Sequence, residues 1–158
     1  MASGRMTGRL LAAVLAVLAV SAAPAAWACS FEQAPAERAA SCQRQLARSI
    51  NFGNMLDHAR EGMAGPMLRD EFIALAAQAG FTAIRLPVRW DARAGVQPPY
   101  RIDPAFFERV DGVLRQAAQH GLAVILDMHH YAQMMLEPQS ERERFLAVWR
   151  QVAEHYRD

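Results

Sequence analysis

The fold is decided by the stretch TAIRLPVRW, residues 82–90, and by its counterpart AVILDMHHY, residues 123–131. Each is a short apolar run that carries charged or imidazole side chains, namely Arg85, Asp127 and His129. In a strand buried on both faces such side chains are energetically costly unless they line a site. Ligands of parallel α/β folds bind at the carboxyl ends of the strands. We therefore predict two buried strands with a functional site where they end.

Strand and helix patterns alternate three times after Arg48, which predicts an α/β fold with a parallel sheet. The predicted strands cover residues 49–52, 82–88 and 122–129. Side chains alternate between the two faces of a strand, so Asp127 and His129 should share one face of the third strand. The polar strand ends should therefore gather on one face, at one end of the sheet.

Three helices are predicted from apolar residues at helical spacing. The first ends at Gly80, a typical residue after a helix. The second begins at Asp103, which is followed by a proline suited to the first helical position, and it ends at Gly121. The third should begin with a capping box formed by Ser140 and Glu143.

Residues 1–28 have the form of a secretory signal peptide. Arg5 and Arg9 precede an apolar run, and small residues follow up to Ala26-Trp27-Ala28, a typical cleavage site. The apolar run has about 11 residues against the roughly 20 needed to cross a bilayer, so no membrane span is expected. We expect a secreted or periplasmic protein in which residues 29–47 form a linker or a short helical lead-in.

The chain has two cysteines, Cys29 and Cys42. In an oxidising compartment they are candidates for a disulfide, and a lipid anchor on Cys29 is the alternative. Their number and spacing do not match a zinc site. The 17 basic residues nearly balance the 16 acidic ones, which argues against nucleic acid as a partner.

Three motifs resemble the first strand ends of glycoside hydrolase family 5, the endoglucanase-like (β/α)8 barrels. They are INFGNML at residues 50–56, RLPVRW at 85–90 and LDMHHY at 126–131. The resemblance covers residues 48–158 and implies the first three β-α units of a TIM barrel. It also implies a retaining glycosidase that acts on β-glucan or a related polysaccharide and needs no cofactor.

The resemblance implies roles for six residues at the strand ends. Arg85 supports the nucleophilic carboxylate by keeping it ionised, as a neighbouring guanidinium does. His129 faces the sugar in the −1 subsite. Substrate-binding roles are implied for Asn51, Trp90, His130 and Tyr131, with Trp90 or Tyr131 stacking on a pyranose ring.

Most of these residues also have a structural interpretation. Arg85 and Asp127 would form an ion pair if the site were only structural. Trp90, Tyr131 and Trp149 are aromatic residues of the kind that pack in cores. Metal binding by the adjacent His129 and His130 is disfavoured, because neighbouring residues on a strand point to opposite faces. No metal site is therefore predicted.

A retaining glycosidase needs two carboxylates about 5 to 5.5 Å apart. In the family that the chain resembles, both are glutamates, at the ends of strands four and seven. The nine glutamates of this chain fall in the lead-in, in loops or in helices. We therefore expect a fragment that lacks both catalytic glutamates and is inactive alone. The alternatives are a non-catalytic carbohydrate-binding half-barrel and a metal-dependent TIM-barrel hydrolase.

Overall fold

The computed structural model describes residues 34–157. Its helices are α1 Pro35–Leu46, α2 Asp70–Gln78, α3 Pro104–Gln119, α4 Ala132–Leu136 and α5 Pro138–His155, and its strands are β1 Ser49–Asn51, β2 Ala83–Val88 and β3 Ala123–Met128. A single 3₁₀ turn, Asp91–Arg93, follows β2. The predicted signal peptide and Cys29 lie outside the described residues.

The three strands form one parallel sheet in the order β1-β2-β3. Its register aligns Asn51 with Arg85 and Arg85 with Ile125, and it aligns Pro87 with Asp127. Residues aligned in a parallel sheet lie on the same face. The predicted α/β fold with a parallel sheet is confirmed, and so is the gathering of polar side chains at the strand ends.

The hydrophobic core lies between one face of the sheet and the helices. On that face Ile84, Leu86 and Val88 are fully buried. They pack in one cluster with the buried stripes of the helices, which include Ile73, Val110, Val113, Val148 and Val152. The opposite face is open in part: Ile125 on the edge strand β3 is 37% exposed, whereas Ala83 and Pro87 on β2 are fully buried. The helices therefore pack on one side of the sheet, and the polar side is partly accessible.

The predicted ends of α2 and α3 are confirmed. Asp103 precedes α3 and accepts a hydrogen bond on Oδ1 from the backbone N–H of Ala105 at 2.9 Å. Gly80 and Gly121 follow α2 and α3 with φ angles of 81° and 70°. These left-handed conformations favour glycine, which has no β-carbon to clash with the backbone. Both helices therefore end where a glycine permits the chain to turn back towards the next strand.

The predicted capping box at Ser140 and Glu143 is wrong. The helix begins earlier, with Pro138 in its first turn, and the short helix α4 precedes it. Ser140 already lies inside α5, where its hydroxyl donates to the backbone oxygen of Glu137 at 3.0 Å. A proline fixes φ near its helical value and has no N–H to leave unpaired, so it starts this helix two residues before the serine.

Residues 35–46 form a helix, the second of the two possibilities that the sequence left open for this segment. Cys42 lies in this helix and is disulfide-bonded. Within residues 34–157, the helices are all too short or too polar to cross a bilayer.

The loop between β1 and α2 is tied to α3 by one ion pair. Arg109 donates from Nη2 and Nε to the two carboxylate oxygens of Glu61, at 2.7 and 3.1 Å. The same carboxylate accepts from the backbone N–H of Leu68 at 2.8 Å, and Arg109 also donates to the Leu68 backbone oxygen at 2.7 Å. A bidentate contact of this kind fixes orientation as well as distance. Both ends of the loop segment 61–68 are therefore held against α3.

Glu61→Gln should lower the free energy of unfolding by about 1 to 3 kcal/mol at neutral pH, because it removes charged hydrogen bonds. Burial alone would raise the pKa of Glu61, but the hydrogen bonds from Arg109 and Leu68 and the Arg109 charge hold the pKa below its ordinary value of 4.5. The stabilisation is therefore complete above pH 4.5 and is lost as the pH falls through the lowered pKa. Urea unfolding of both proteins at several pH values checks this.

The matched control is Glu71→Gln, since Glu71 pairs with Arg69 at the surface, where the two side chains are 70% and 60% exposed. Exposed pairs contribute little, so this change should leave stability nearly unaltered. A loss of stability for Glu61→Gln that is the same at all pH values would contradict the role of the charge.

Candidate functional site

Arg85 is the centre of the polar cluster at the strand ends. Its Nη1 donates to Asn51 Oδ1 on β1 at 2.7 Å, and its Nη2 donates to Asp127 Oδ2 on β3. Nη2 also lies 3.3 Å from Nδ1 of His129. The guanidinium thus bridges all three strands, and the ion pair between Arg85 and Asp127 that the sequence left as an alternative is present. The Arg85 side chain is 36% exposed, so a ligand on the open face of the sheet can reach it.

His129 and His130 follow β3 and do not diverge as they would on a strand. The strand ends at Met128, and His130 has a left-handed backbone with φ of 59°. Their rings meet edge to face with centroids 4.4 Å apart. The argument that adjacent residues point to opposite faces therefore does not apply here, and this part of the sequence interpretation is wrong. His130 is half exposed at the rim of the site.

Asp57 is a third member of this group that the sequence analysis missed. One ligand atom from each of Asp57, His129 and His130 lies within 4.8 Å of the others. Asp57 Oδ2 accepts from the backbone N–H of Asn54 at 3.1 Å and lies 3.9 Å from His130 Nε2. The preceding residue, Leu56, pairs with Val88 beside β2, so the loop continues the line of the sheet. In the sequence Asp57 is marked only as an acidic residue directly after the apolar Met55 and Leu56, and this does not indicate its contact with the histidines.

Trp90 is not a sugar platform. It is 0% exposed and packs edge to face against Phe106 with ring centroids 5.5 Å apart. Phe107 and Tyr156 also lie against it, at 5.6 and 6.4 Å. The chain turns beneath α3 after β2 ends, so the indole enters the core instead of the loop surface. A pyranose ring has no face of Trp90 to stack on.

Tyr131 is also a packing residue, being only 6% exposed. Its hydroxyl donates to Glu141 on α5, and the guanidinium of Arg144 lies 5.6 Å from the ring centroid. Burial, together with the hydrogen bond to Glu141, raises the pKa of the Tyr131 phenol well above its usual range. The phenol therefore stays protonated and fixes the start of α4 to α5. The predicted stacking role of Tyr131 is not compatible with this burial.

The site residues that remain accessible are thus Asn51, Arg85, Asp127, His129 and His130, with Asp57 behind them. They offer amide, guanidinium, imidazole and carboxylate groups on the open face of a parallel sheet. Hydroxyl groups of a sugar are both donors and acceptors, and this mixture satisfies both. Trp149 packs partly buried against the core, as the structural interpretation predicted.

The family model of Cellulase (glycosyl hydrolase family 5) matches residues 48–158. Endoglucanase B of Paenibacillus lautus is 31% identical to the chain over 157 residues, which cover 94% of this chain and 27% of the relative. The cellulase/esterase CelE of Acetivibrio thermocellus is 33% identical over 120 residues, 73% of this chain and 15% of that protein. The chain therefore spans about a quarter or less of these two relatives.

Solved structures that resemble the chain include endoglucanases, and the chain again covers only part of each of them. Cel5A of Thermotoga maritima, in a mutant form with cellobiose, superposes with a TM-score of 0.73 and 44% identity. The match covers 74% of this chain and 40% of that chain. The same enzyme with mannotriose matches with a TM-score of 0.71 and 42% identity. The three parallel strands and their helices thus correspond to part of a TIM barrel, which confirms the predicted fold class.

Proposed function

The chain belongs to glycosyl hydrolase family 5, and from this premise we propose that it forms three adjacent β-α units of a retaining glycoside hydrolase acting on β-linked glucan. One observation carries the proposal. Arg85 is held between Asn51 and Asp127 at the carboxyl ends of three parallel strands, with His129 beside it. That edge is where TIM barrels bind and transform their substrates.

The side chains of this site bind and orient a sugar, and they do not break the glycosidic bond by themselves. Two carboxyl groups, one acid and one nucleophile, are required for retaining hydrolysis. Within residues 34–157 no glutamate ends a strand. Asp127 is engaged by Arg85, and Asp57 is almost fully buried. We propose that the catalytic pair of the complete barrel comes from strands other than β1, β2 and β3.

Titration of the chain with cellotetraose, followed by NMR of the histidine rings, tests this proposal. The ring signals of His129 and His130 should shift, because these residues lie at the open strand ends. His155 is the internal control, since it pairs with Asp111 at 3.0 Å on the outer helical layer and its signals should stay constant. Maltotetraose, with α-linkages, should produce no shift. Equal shifts with both sugars, or none with cellotetraose, would contradict the proposal.

We also propose that the protein is exported to an oxidising compartment. The signal-like pattern of residues 1–28 supports this, and so does the disulfide at Cys42 in α1. A disulfide at Cys42 favours the pairing alternative over a lipid anchor on Cys29, because the chain has two cysteines. Mass spectrometry of secreted material should find a mature chain that begins at Cys29.

A further inference from the structure

Asp57, His129 and His130 together form a typical set of ligands for a metal ion. One carboxylate and two imidazoles lie with their ligand atoms within 4.8 Å of one another. In a tetrahedral zinc site with bonds of about 2.0 to 2.1 Å, ligand atoms are about 3.4 Å apart. His130 Nε2 and Asp57 Oδ2 are already 3.9 Å apart. Small side-chain rotations would therefore close the three ligands around one ion.

The buried carboxylate of Asp57 supplies a second, independent observation. Its side chain is only 4% exposed, and within the described chain Oδ1 has no hydrogen-bond partner. A buried carboxylate oxygen without a partner costs free energy, so such atoms in native proteins usually face a water or an ion. Oδ2, the oxygen that lies 3.9 Å from His130 Nε2, also accepts from the backbone N–H of Asn54, which holds the carboxylate in place and leaves Oδ2 a second lone pair for an ion.

The backbone conformation of His130 brings the imidazole rings of His129 and His130 together. Its φ of 59° is a conformation that few residues other than glycine adopt at no cost, although histidine is among those that tolerate it. Because the chain turns in this way directly after β3, the rings of His129 and His130 lie on the same side of the chain. His58 flanks them, its ring centroid 5.5 Å from that of His130. The neighbouring charge of Arg85 does not repel a cation strongly, because Asp127 neutralises it.

We propose that Asp57, His129 and His130 bind one first-row divalent transition metal ion, with Zn²⁺ as the representative ligand. Two imidazoles and one carboxylate favour Zn²⁺, Co²⁺, Ni²⁺ or Cu²⁺, whereas Mg²⁺ and Ca²⁺ prefer sites made of oxygen alone. The site is a binding site, and no reaction step is assigned to the metal. It does not depend on the proposed action on β-glucan, because metal binding is measured without any sugar.

Isothermal titration of the full chain with Zn²⁺, on material without a histidine tag, is the test. One ion per chain should bind, and Mg²⁺ should give no heat above dilution. Asp57→Asn, His129→Gln and His130→Gln should each weaken binding by about a hundredfold or more, because loss of an outer-shell partner already costs about ten- to a hundredfold and these residues are the ligands themselves. Co²⁺ should give visible absorption bands typical of a low-coordinate site in the unmodified chain and not in these variants.

His155→Gln is the matched control, because His155 also lies beside a carboxylate, Asp111, but among the described residues it does not belong to a group of three metal ligands. It should leave Zn²⁺ affinity unchanged. His130→Gln decides the matter if the Asp57 variant misfolds, since the His130 side chain is 50% exposed and its replacement leaves the core intact. The proposal is overturned if Zn²⁺ does not bind, if His130→Gln binds as tightly as the unmodified chain, or if His155→Gln loses binding equally.

Discussion

Arg85→Ala should lower kcat/KM for a soluble β-1,4-glucan by about a hundred- to thousandfold in a completed barrel, the usual cost of removing one preorganised charge or donor from an active site. Arg85 is fixed from both sides, by Asn51 Oδ1 at 2.7 Å and by Asp127, so its charge is in position before substrate arrives. A guanidinium held in this way keeps a neighbouring nucleophilic carboxylate ionised. The loss should fall mainly on kcat, because in the proposed active site the charge acts on the reacting carboxylate.

The measurement uses a hybrid barrel. Residues 48–158 of this chain replace the matching segment of Thermotoga maritima Cel5A, with which the chain shares 44% identity. The hybrid should hydrolyse carboxymethyl cellulose. Arg85→Lys should recover little of the lost activity, because an ammonium group does not span Asn51 and Asp127 as a planar guanidinium does. His155→Gln, on the outer layer, should keep full activity. An active Arg85→Ala hybrid would show that the site lies elsewhere.

Trp90→Ala should lower the free energy of unfolding by about 3 to 5 kcal/mol, the usual cost of truncating a fully buried aromatic side chain. Trp90 is 0% exposed and lies among Phe106, Phe107 and Tyr156, so its removal leaves a large cavity under α3. The change approaches the total stability of many domains, and much of the chain should be unfolded. Urea unfolding followed by circular dichroism measures the effect.

Leu136→Ala is the control for Trp90→Ala. Leu136 is 81% exposed at the end of α4, and its truncation should change the free energy of unfolding by less than about 0.5 kcal/mol. If Trp90 were a sugar platform, its truncation would weaken cellotetraose binding and leave stability unaltered. That outcome would contradict the buried position of the indole.

The sequence predicted those parts of the molecule in which local periodicity determines geometry. Alternation along β2 and β3 correctly brought Arg85 and Asp127 to one face, because a strand has a fixed period of two. The ends of α2 and α3 were predicted from Gly80 and Gly121, which permit backbone angles that other residues avoid. Each of these predictions needed only residues close together in the chain.

The predictions failed where the chain leaves a strand. Trp90 follows β2 by two residues, but the strand period no longer applies there, and α3 determines that the indole is buried. His129 and His130 lie just past β3, where a left-handed backbone turns both rings to one side. Asp57 joins them from a different loop, so no local pattern reports the contact. Positions after a strand end depend on tertiary packing.

The ion pair between Glu61 and Arg109 connects the loop after β1, which carries Asp57, to the outer helix α3. Arg109 belongs to α3 in the outer layer, whereas Glu61 belongs to the same loop as Asp57. Apart from the bridge between Leu56 and Val88, the described part of this loop has no helix or strand, so the contacts with Arg109 of α3 help to fix its shape. Substitutions on α3 that displace Arg109 should therefore also displace the loop that carries Asp57. A search for variants with altered specificity should include this outer helix as well as the residues at the strand ends.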